Sequence, residues 1–345
     1  MNAVYIGTVS VAAVILAIGV IYAISNINKR SNNCSKLTKS TPLQNLTKED
    51  SMYERPLRDF HVKASYNSCA SGKYKNDWVD LCALSRAIKE GCRLLDFEIY
   101  DVKGVPVVAV SDSPKFTVKH SYNSIPLEQV LKRIENEAFG GDVNGMDPLF
   151  LNLRIKSDHV ELCDAVAALL PRNATLASRL LGPKYSYEYD GHNFGMVPLR
   201  DLCRKVVIMA SENKRITDSK LAEFVNVAPS PLFRVLPFSA LASQDLTDLT
   251  TFSKTRLLMV TPSSADNFTS ASATTLGAQF SAMNFQTLDK NLEAYCAEFV
   301  KNGNRAFYLK LDPYEQTEIP EAEALPDNTT FGITKYKNKF FDFTL

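Results

Sequence analysis

The sequence predicts an α/β fold of the (β/α)8 TIM-barrel type, preceded by a single transmembrane helix. Three observations predict it. An uncharged apolar run opens the chain, short apolar strands then alternate with amphipathic helices, and this alternation continues over about 260 residues. A chain of 345 residues is long enough for one large barrel of this kind.

The apolar run from Val4 to Ile24 predicts a membrane anchor. No charged side chain precedes Lys29. A helix over this run spans roughly 32 Å at about 1.5 Å per residue, which matches one hydrocarbon core. A cleaved signal peptide is the alternative, because Ala23 and Ser25 form a small-x-small site, but the basic segment that normally precedes such a run is missing.

Basic residues lie only on the C-terminal side of this run, at Lys29, Arg30, Lys36 and Lys39. The positive-inside rule therefore predicts a single-pass protein whose C-terminal domain faces the cytosol. Seven cysteines without a pairing or zinc-binding pattern agree with this side, because they are typical of free thiols in a reducing compartment. Four glycosylation sequons would matter only on the luminal side. They begin at Asn45, Asn173, Asn267 and Asn328.

Composition predicts four segments and limits the partners. Residues 1–28 form the anchor, and the polar residues 29–54 form a flexible juxtamembrane linker. Residues 55–315 form the barrel, and 316–345 form a C-terminal extension. The net charge of +1 gives no field that would attract nucleic acid, and no GxxxxGK[ST] or GxGxxG motif predicts a nucleotide site.

Strand and helix patterns fill the barrel segment in alternation. Strands are predicted over 60–64, 93–99, 105–110, 149–155, 205–210, 256–260, 279–285 and 305–310. Helices are predicted over 127–138, 160–170, 218–225 and 290–301. A further helix is predicted to begin at Asn76 as its N-cap, to contain Trp78 as a core residue and to end at Gly91. The stretch 239–275, rich in Ser, Thr and Ala, is interpreted as an inserted loop between two halves.

Two carboxylates share one face of the second predicted strand. Period two places Leu95, Phe97 and Ile99 on one face and Asp96 with Glu98 on the other. Two carboxylates on a buried strand are costly unless a cation binds them. The strand therefore predicts a cation next to Asp96 and Glu98.

Several segments resemble the eukaryotic phosphoinositide-specific phospholipases C. PLRDFHVKASYNS (56–68) and GCRLLDFEIYD (91–101) are similar to two strands of the catalytic X box of that family, and GAQFSAMNFQT (277–287) is similar to its Y box. The resemblance covers about 55–315, with an X-like part at 55–210 and a Y-like part at 229–315. It implies a phosphodiesterase barrel.

The resemblance also implies that the catalytic groups of the family are lost. The family uses two histidines and a calcium ion held by an Asn and three carboxylates. The histidine positions correspond to Tyr66 and Val110, or to Ser111 or Asp112 if the alignment slides. Asn67, Asp96 and Glu98 remain at three ion-ligand positions, but the last carboxylate is replaced by Arg154. A phenol with a pKa near 10 is a poor base at neutral pH.

Arg154 is predicted to pair with Asp96 or Glu98 in place of the metal ion. A weak cation site and an unrelated polar interior are the alternatives. The family residues that bind inositol phosphates correspond to Met209, Ser211, Met259 and Thr261. Headgroup binding is therefore also expected to be lost. No metal or other cofactor is expected.

The resulting prediction is a catalytically inactive, membrane-anchored phospholipase C-like protein that serves as a structural or interaction scaffold. Degenerate barrels of this kind also occur in large DNA viruses, so a virion membrane or minor capsid component is one interpretation, with the anchor in an internal viral membrane. The alternatives are a divergent phosphoinositide phosphodiesterase and a phosphoinositide-binding module without catalysis. Neither the protein partner nor the oligomeric state follows from the sequence.

Overall fold

The computed structural model describes residues 2–37, 51–113, 117–140, 145–172, 174–186, 193–210, 214–311, 335–337 and 342–344. Contacts divide the chain into Met1–Leu311 and Asp312–Leu345. The second unit contains a short antiparallel pair of strands, Lys335–Lys337 and Asp342–Thr344.

Helices and strands alternate along the first unit. The helices are α1 (Asn2–Lys36), α2 (Leu81–Lys89), α3 (Leu127–Ala138), α4 (Val160–Leu169), α5 (Ala174–Ala177), α6 (Lys214–Thr217), α7 (Leu246–Thr255), α8 (Ser270–Thr275) and α9 (Lys290–Lys301). The strands are β1 (Phe60–Ser65), β2 (Leu94–Val102), β3 (Val105–Ala109), β4 (Ile125–Pro126), β5 (Leu149–Ile155), β6 (Val206–Ala210), β7 (Phe233–Pro237), β8 (Leu257–Thr261), β9 (Phe280–Met283) and β10 (Phe307–Leu309).

The strands form one mixed sheet whose central path is parallel. Its order is β6-β5-β2-β1-β9-β8-β7, and β3, β4 and β10 add antiparallel pairs. This confirms the predicted α/β class with helices crossing between parallel strands. In the described residues β6 and β7 share no ladder, so closure into a (β/α)8 barrel stays a prediction.

The two faces of the sheet have different surroundings. Val62, Ala64, Phe150, Met259 and Phe280 pack together on one face as a compact apolar cluster. The other face packs against the helices, with Leu95, Phe97 and Ile99 of β2 in the larger core. The period-two prediction for β2 is thereby confirmed, since Asp96 and Glu98 lie on the face opposite to these three residues.

Helix α1 begins with the predicted apolar run and continues beyond it. Among the described residues it is the one helix long and apolar enough to cross a membrane, because its part Ala13–Lys36 contains an 18-residue window with a mean hydropathy of 1.2 and no buried residue. Large apolar side chains such as Ile15, Leu16 and Ile21 are more than half exposed. A signal sequence has the same character, so the anchor stays a prediction.

The prediction that residues 29–54 form a flexible linker is wrong for its first part. Helix α1 continues to Lys36, and its last turns contact the loop before α2. Lys29 Nζ lies 2.8 Å from the Asp77 carboxylate, and Arg30 Nη2 lies 2.6 Å from that of Asp80. Residues 38–50 lie outside the described part, and Ser51–Glu54 form a 3₁₀ turn.

The prediction that all seven cysteines are free is also wrong. Cys34 of α1 and Cys82 of α2 form a disulfide, which joins the helix to the domain across 48 positions of sequence. The remaining five cysteines are free thiols. Disulfides are typical of oxidising compartments, so this one does not support the reducing compartment inferred from cysteine usage.

Three local predictions differ from the structure. Asp80, not Asn76, caps α2 by accepting a hydrogen bond from the Cys82 amide, and Trp78 lies before the helix, half-buried beneath the Arg30 guanidinium. The predicted helix over 218–225 is only a 3₁₀ turn at Lys220–Glu223. The stretch 239–275 is not an inserted loop, because it holds α7, β8 and α8.

Candidate functional site

The register of two parallel strands builds the candidate site. In the β2–β5 ladder, Asp96 lies opposite Asn152 and Glu98 lies opposite Arg154. Residues opposite each other on parallel strands project from the same face. The two acidic positions and the basic position are therefore brought together although more than fifty residues separate them in sequence.

The Arg154 guanidinium binds both carboxylates. Its Nη2 and Nε donate to Asp96 Oδ1 and Oδ2 at 2.6 and 3.0 Å, and its Nη1 donates to Glu98 Oε1 at 2.7 Å. This pairing is the one that the sequence predicts, and the structure extends it from one carboxylate to two. The Asp96 side chain is fully buried, the Glu98 side chain is 5% exposed and the Arg154 side chain is 14% exposed.

Two residues at the end of β1 complete the cluster around Arg154. Asn67 accepts a hydrogen bond from Arg154 Nη2 through Oδ1 at 2.6 Å. Its backbone has a φ of 44°, which asparagine tolerates well, and this conformation directs its amide N–H to Asp96 Oδ1 at 3.0 Å. The Tyr66 ring lies 4.3 Å from the guanidinium carbon, a distance that allows a cation–π contact.

Further hydrogen bonds occupy the remaining carboxylate oxygens. Asn152 Nδ2 donates to Asp96 Oδ2 at 2.7 Å, and the Tyr100 hydroxyl donates to Glu98 Oε2 at 2.7 Å. Neither residue is among those predicted from the sequence. Both could have been found from the periodicity, because Tyr100 lies two positions after Glu98 on β2 and Asn152 two positions before Arg154 on β5.

The charges of the cluster fix its protonation. Burial alone would lower the pKa of Arg154, but the Asp96 and Glu98 carboxylates outweigh this effect and hold that pKa well above its ordinary value. Burial raises the pKa of Tyr66 to about 12, and Arg154 only partly opposes the shift. At neutral pH the cluster therefore holds a permanent cation and an un-ionised phenol.

A calcium ion does not fit this donor set. Calcium takes six to eight oxygen ligands, mostly anionic. Here the oxygens of Asn67, Asp96 and Glu98 that face one another already accept hydrogen bonds from Arg154, whose charge would repel a divalent ion. The residues present thus form a closed ion-pair network.

The other predicted site residues lie on both faces of the sheet. Val110 is buried in the core that packs against the helices. Met209 and Met259 are buried in the apolar cluster on the face that also carries Asp96 and Arg154, where Met209 lies opposite Asn152 in the β5–β6 ladder. Thr261 ends β8 as a largely buried residue. Ser211 lies outside the described residues.

The polar residues of the Y-like segment have structural contacts. Gln279 is fully buried, accepts from the Leu258 amide at 2.6 Å and donates to the carbonyls of Arg58 and Ser253. Asn284 is also fully buried and donates to the carbonyls of Ser264 and Asp266. These two side chains fix the ends of β9 against neighbouring loops.

A histidine lies on the loop that follows β3. His120 Nδ1 contacts the Asp112 carboxylate, and the His120 amide donates to the Val110 carbonyl at 3.0 Å. Asp112 is one of the alternative histidine positions predicted from the sequence, but its pairing with His120 is not predicted there. In the part of the chain that the structure describes, no histidine hydrogen-bonds to the side chains around Arg154.

Comparison with solved structures identifies the fold. The structure aligns with S. officinalis PLC21 at a TM-score of 0.60 and 17% identity, covering 75% of this chain and 37% of that one. L. pealei PLC21 aligns at a TM-score of 0.61 and 16% identity with the same coverage. The chain has a phospholipase C-like phosphodiesterase fold.

Sequence comparison relates this phospholipase C-like chain to one curated enzyme. Over 123 residues it is 26% identical to 1-phosphatidylinositol 4,5-bisphosphate phosphodiesterase 1 of Saccharomyces cerevisiae. The aligned residues cover 35% of this chain and 12% of that protein. No family model matches. The similarity to phospholipases C is thereby confirmed, whereas the X-like and Y-like division and the loss of activity stay predictions.

Proposed function

We propose that this chain is a membrane-anchored, phospholipase C-like protein without phosphodiesterase activity. The observation that carries the proposal is the Arg154 guanidinium bound between Asp96, Glu98 and Asn67. A divalent ion in a phosphodiesterase lowers the pKa of the nucleophile and neutralises charge on phosphorus. The Arg154 guanidinium cannot take over these roles. It stays protonated at neutral pH, its N–H groups already bind the neighbouring oxygens, and it has no open coordination position as a metal ion would.

The Tyr66 side chain of this cluster is also poorly suited to act as a general base. A general base works best when its pKa lies near the operating pH, and each such group contributes about 10² to 10⁴ in rate. Tyr66, with a pKa of about 12, is far from that condition. With a guanidinium in place of the divalent ion and no base of suitable pKa at Tyr66, we expect a turnover too low for a signalling enzyme.

A hydrolysis assay tests this proposal. We expect the full chain, given phosphatidylinositol 4,5-bisphosphate vesicles and calcium, to release no more inositol phosphate than its Asp96→Ala and Tyr66→Phe variants. Turnover clearly above both variants and dependent on Asp96 would contradict it. Calorimetric titration of the free headgroup, inositol 1,4,5-trisphosphate, into the full chain in nanodiscs of zwitterionic lipid detects a phosphoinositide-binding module that does not catalyse.

The His120–Asp112 pair favours a second candidate, a divergent phosphodiesterase. A carboxylate that orients an imidazole is a common arrangement in acid–base catalysis. The pair lies on the segment that follows Val110 and is solvent-accessible. Any activity that His120→Asn abolishes, while His159→Asn leaves it intact, would establish this alternative.

The docking of α1 supports the scaffold part of the proposal. Lys29, Arg30 and Cys34 hold the last turns of the helix against Asp77, Asp80 and Cys82. Because the anchor is fixed to the domain rather than tethered, the domain would present a constant surface to a partner above the membrane. One form of this role is a virion component that links an internal membrane to a shell.

We further propose that the domain faces the cytosol, because basic residues cluster directly after the apolar run. In microsomes containing the translated full chain, we expect added protease to digest the domain and an endoglycosidase to leave its mobility unchanged. A protease-protected, glycosylated product would place the domain in the lumen, the side that the Cys34–Cys82 disulfide favours. Asn267 cannot report on this, because its side chain is buried and hydrogen-bonded.

A further inference from the structure

A cavity of about 650 Å³ lies between α2, α9 and the end of α1, on the helix-covered face of the sheet. Phe285, Leu288, Leu292 and Val300 give it apolar walls, and charged residues of both signs also line it: Lys36, Arg86, Glu90, Asp289, Glu293 and Lys301. Its volume is within the range of small-molecule sites, which are usually apolar with a few placed polar groups. Arg154 and its neighbours do not line it.

Lys63 of β1 lines this cavity from the sheet side. Val62 and Ala64 pack on the opposite face, so the pleat directs Lys63 toward the helices. The residue is 1% exposed, and its Nζ lies 5.9 and 5.7 Å from the ring centres of Phe285 and Phe299. A buried ammonium between two aromatic faces is thus the polar group at the inner end of an apolar cavity.

The neighbours of this ammonium do not neutralise it. The thiols of Cys92 and Cys296 are nearby, and burial raises the pKa of each, so both stay un-ionised at neutral pH. Glu90 lines the same cavity but lies 3.4 Å from Arg86 Nη2. Within the described residues, no carboxylate oxygen lies within 4.0 Å of Lys63 Nζ. A buried charge without a counter-ion is costly, and a bound anion would remove that cost.

We propose that this cavity binds a carboxylate amphiphile, with the carboxylate on Lys63 Nζ and the hydrocarbon along Leu288, Leu292 and Val300. A single ammonium flanked by phenyl rings suits a monoanion. A phosphate group would require several hydrogen-bond donors, and the inner end of the cavity offers one cation and two weakly polar thiols. The proposal is independent of the Arg154 cluster and of any phosphodiesterase activity.

Calorimetric titration tests the proposal with the full chain in phospholipid nanodiscs, after subtraction of the heats from chain-free nanodiscs. We expect octanoate to bind at one site per chain and octanol at least tenfold more weakly. Lys63→Met, which keeps the length of the side chain and removes its charge, should weaken octanoate binding at least tenfold. Equal affinities for the two probes, unchanged binding to Lys63→Met, or no octanoate binding would overturn the proposal.

A matched pair of variants on α9 covers the case in which Lys63→Met does not fold. Ala297 lines the cavity and is exposed, so Ala297→Trp should fill the entrance and weaken octanoate binding at least tenfold. Ala294 is exposed on the same helix but does not line the cavity, so Ala294→Trp should bind octanoate like the unaltered chain. Equal effects of the two tryptophans would place the binding elsewhere and overturn the proposal.

Discussion

Replacing Arg154 with alanine is expected to destabilise the domain by about 3 to 5 kcal/mol, because the substitution leaves Asp96 buried without a cation and Glu98 with only Lys156, whose Nζ lies 4.0 Å away. Asp96 is fully buried and Glu98 is 5% exposed, so water cannot replace the guanidinium as a partner for both. The hydrogen-bond donors that remain, the Asn152 side chain, the Asn67 backbone N–H and the Tyr100 hydroxyl, are neutral and bind one oxygen each. Thermal or urea unfolding of the full chain measures this loss.

An exposed ion pair provides the control for that experiment. Arg172 lies 3.8 Å from Glu128 with both side chains more than half exposed, so Arg172→Ala should change stability by less than about 1 kcal/mol. A neutral triple variant, Arg154→Met with Asp96→Asn and Glu98→Gln, should recover most of the loss, because no carboxylate of the cluster is then left buried without a cation. An unchanged melting temperature for Arg154→Ala would refute the ion-pair account.

Acid is expected to destabilise the domain through His61 by about 3 kcal/mol between pH 6.5 and pH 4. Burial lowers the pKa of His61 from 6.5 to about 4, while its Nδ1 stays 2.7 Å from the Ala278 carbonyl oxygen. In this window the unfolded chain binds the proton and the folded chain does not, so the stability present above pH 6.5 is lost as the pH falls toward 4.

The pH dependence of two variants isolates this contribution. His61→Phe keeps the ring contact with Tyr308, whose ring centre lies 4.8 Å away, but cannot be protonated. Its unfolding free energy should therefore fall less steeply between pH 6.5 and pH 4 than that of the unaltered chain, even if its value at pH 7 is lower. His159→Gln, at an exposed position, should keep the full slope. Equal slopes for all three proteins would contradict the assignment to His61.

The regular elements and the ion pair could be predicted from the sequence because each depends on local periodicity. The predicted bounds of α3, α9 and β5 equal the observed ones, since their apolar stripes and strand patterns are uninterrupted. Period two placed Asp96 and Glu98 on one face, and the alignment with phospholipases C placed Arg154 next to them. The register of β2 against β5 is enough to bring these three side chains together.

The sequence could not predict contacts that depend on distant partners. The polar residues after Asn28 have the composition of a linker, and their helical state depends on Asp77, Asp80 and Cys82, about fifty positions away. The same contacts explain why Cys34 is not a free thiol and why Trp78 is not a helix-core residue. Polar composition predicts flexibility only when no partner for those side chains lies elsewhere in the fold.

Calcium binding tests most directly whether the guanidinium has replaced a divalent ion at this site. We predict that calorimetric titration of Ca²⁺ into the full chain in nanodiscs of zwitterionic lipid gives no saturable heat beyond that of chain-free nanodiscs, at neutral pH and up to millimolar ion. Saturable binding that Asp96→Asn abolishes and Arg172→Ala leaves unchanged would show that the ion displaces Arg154, and would contradict the account.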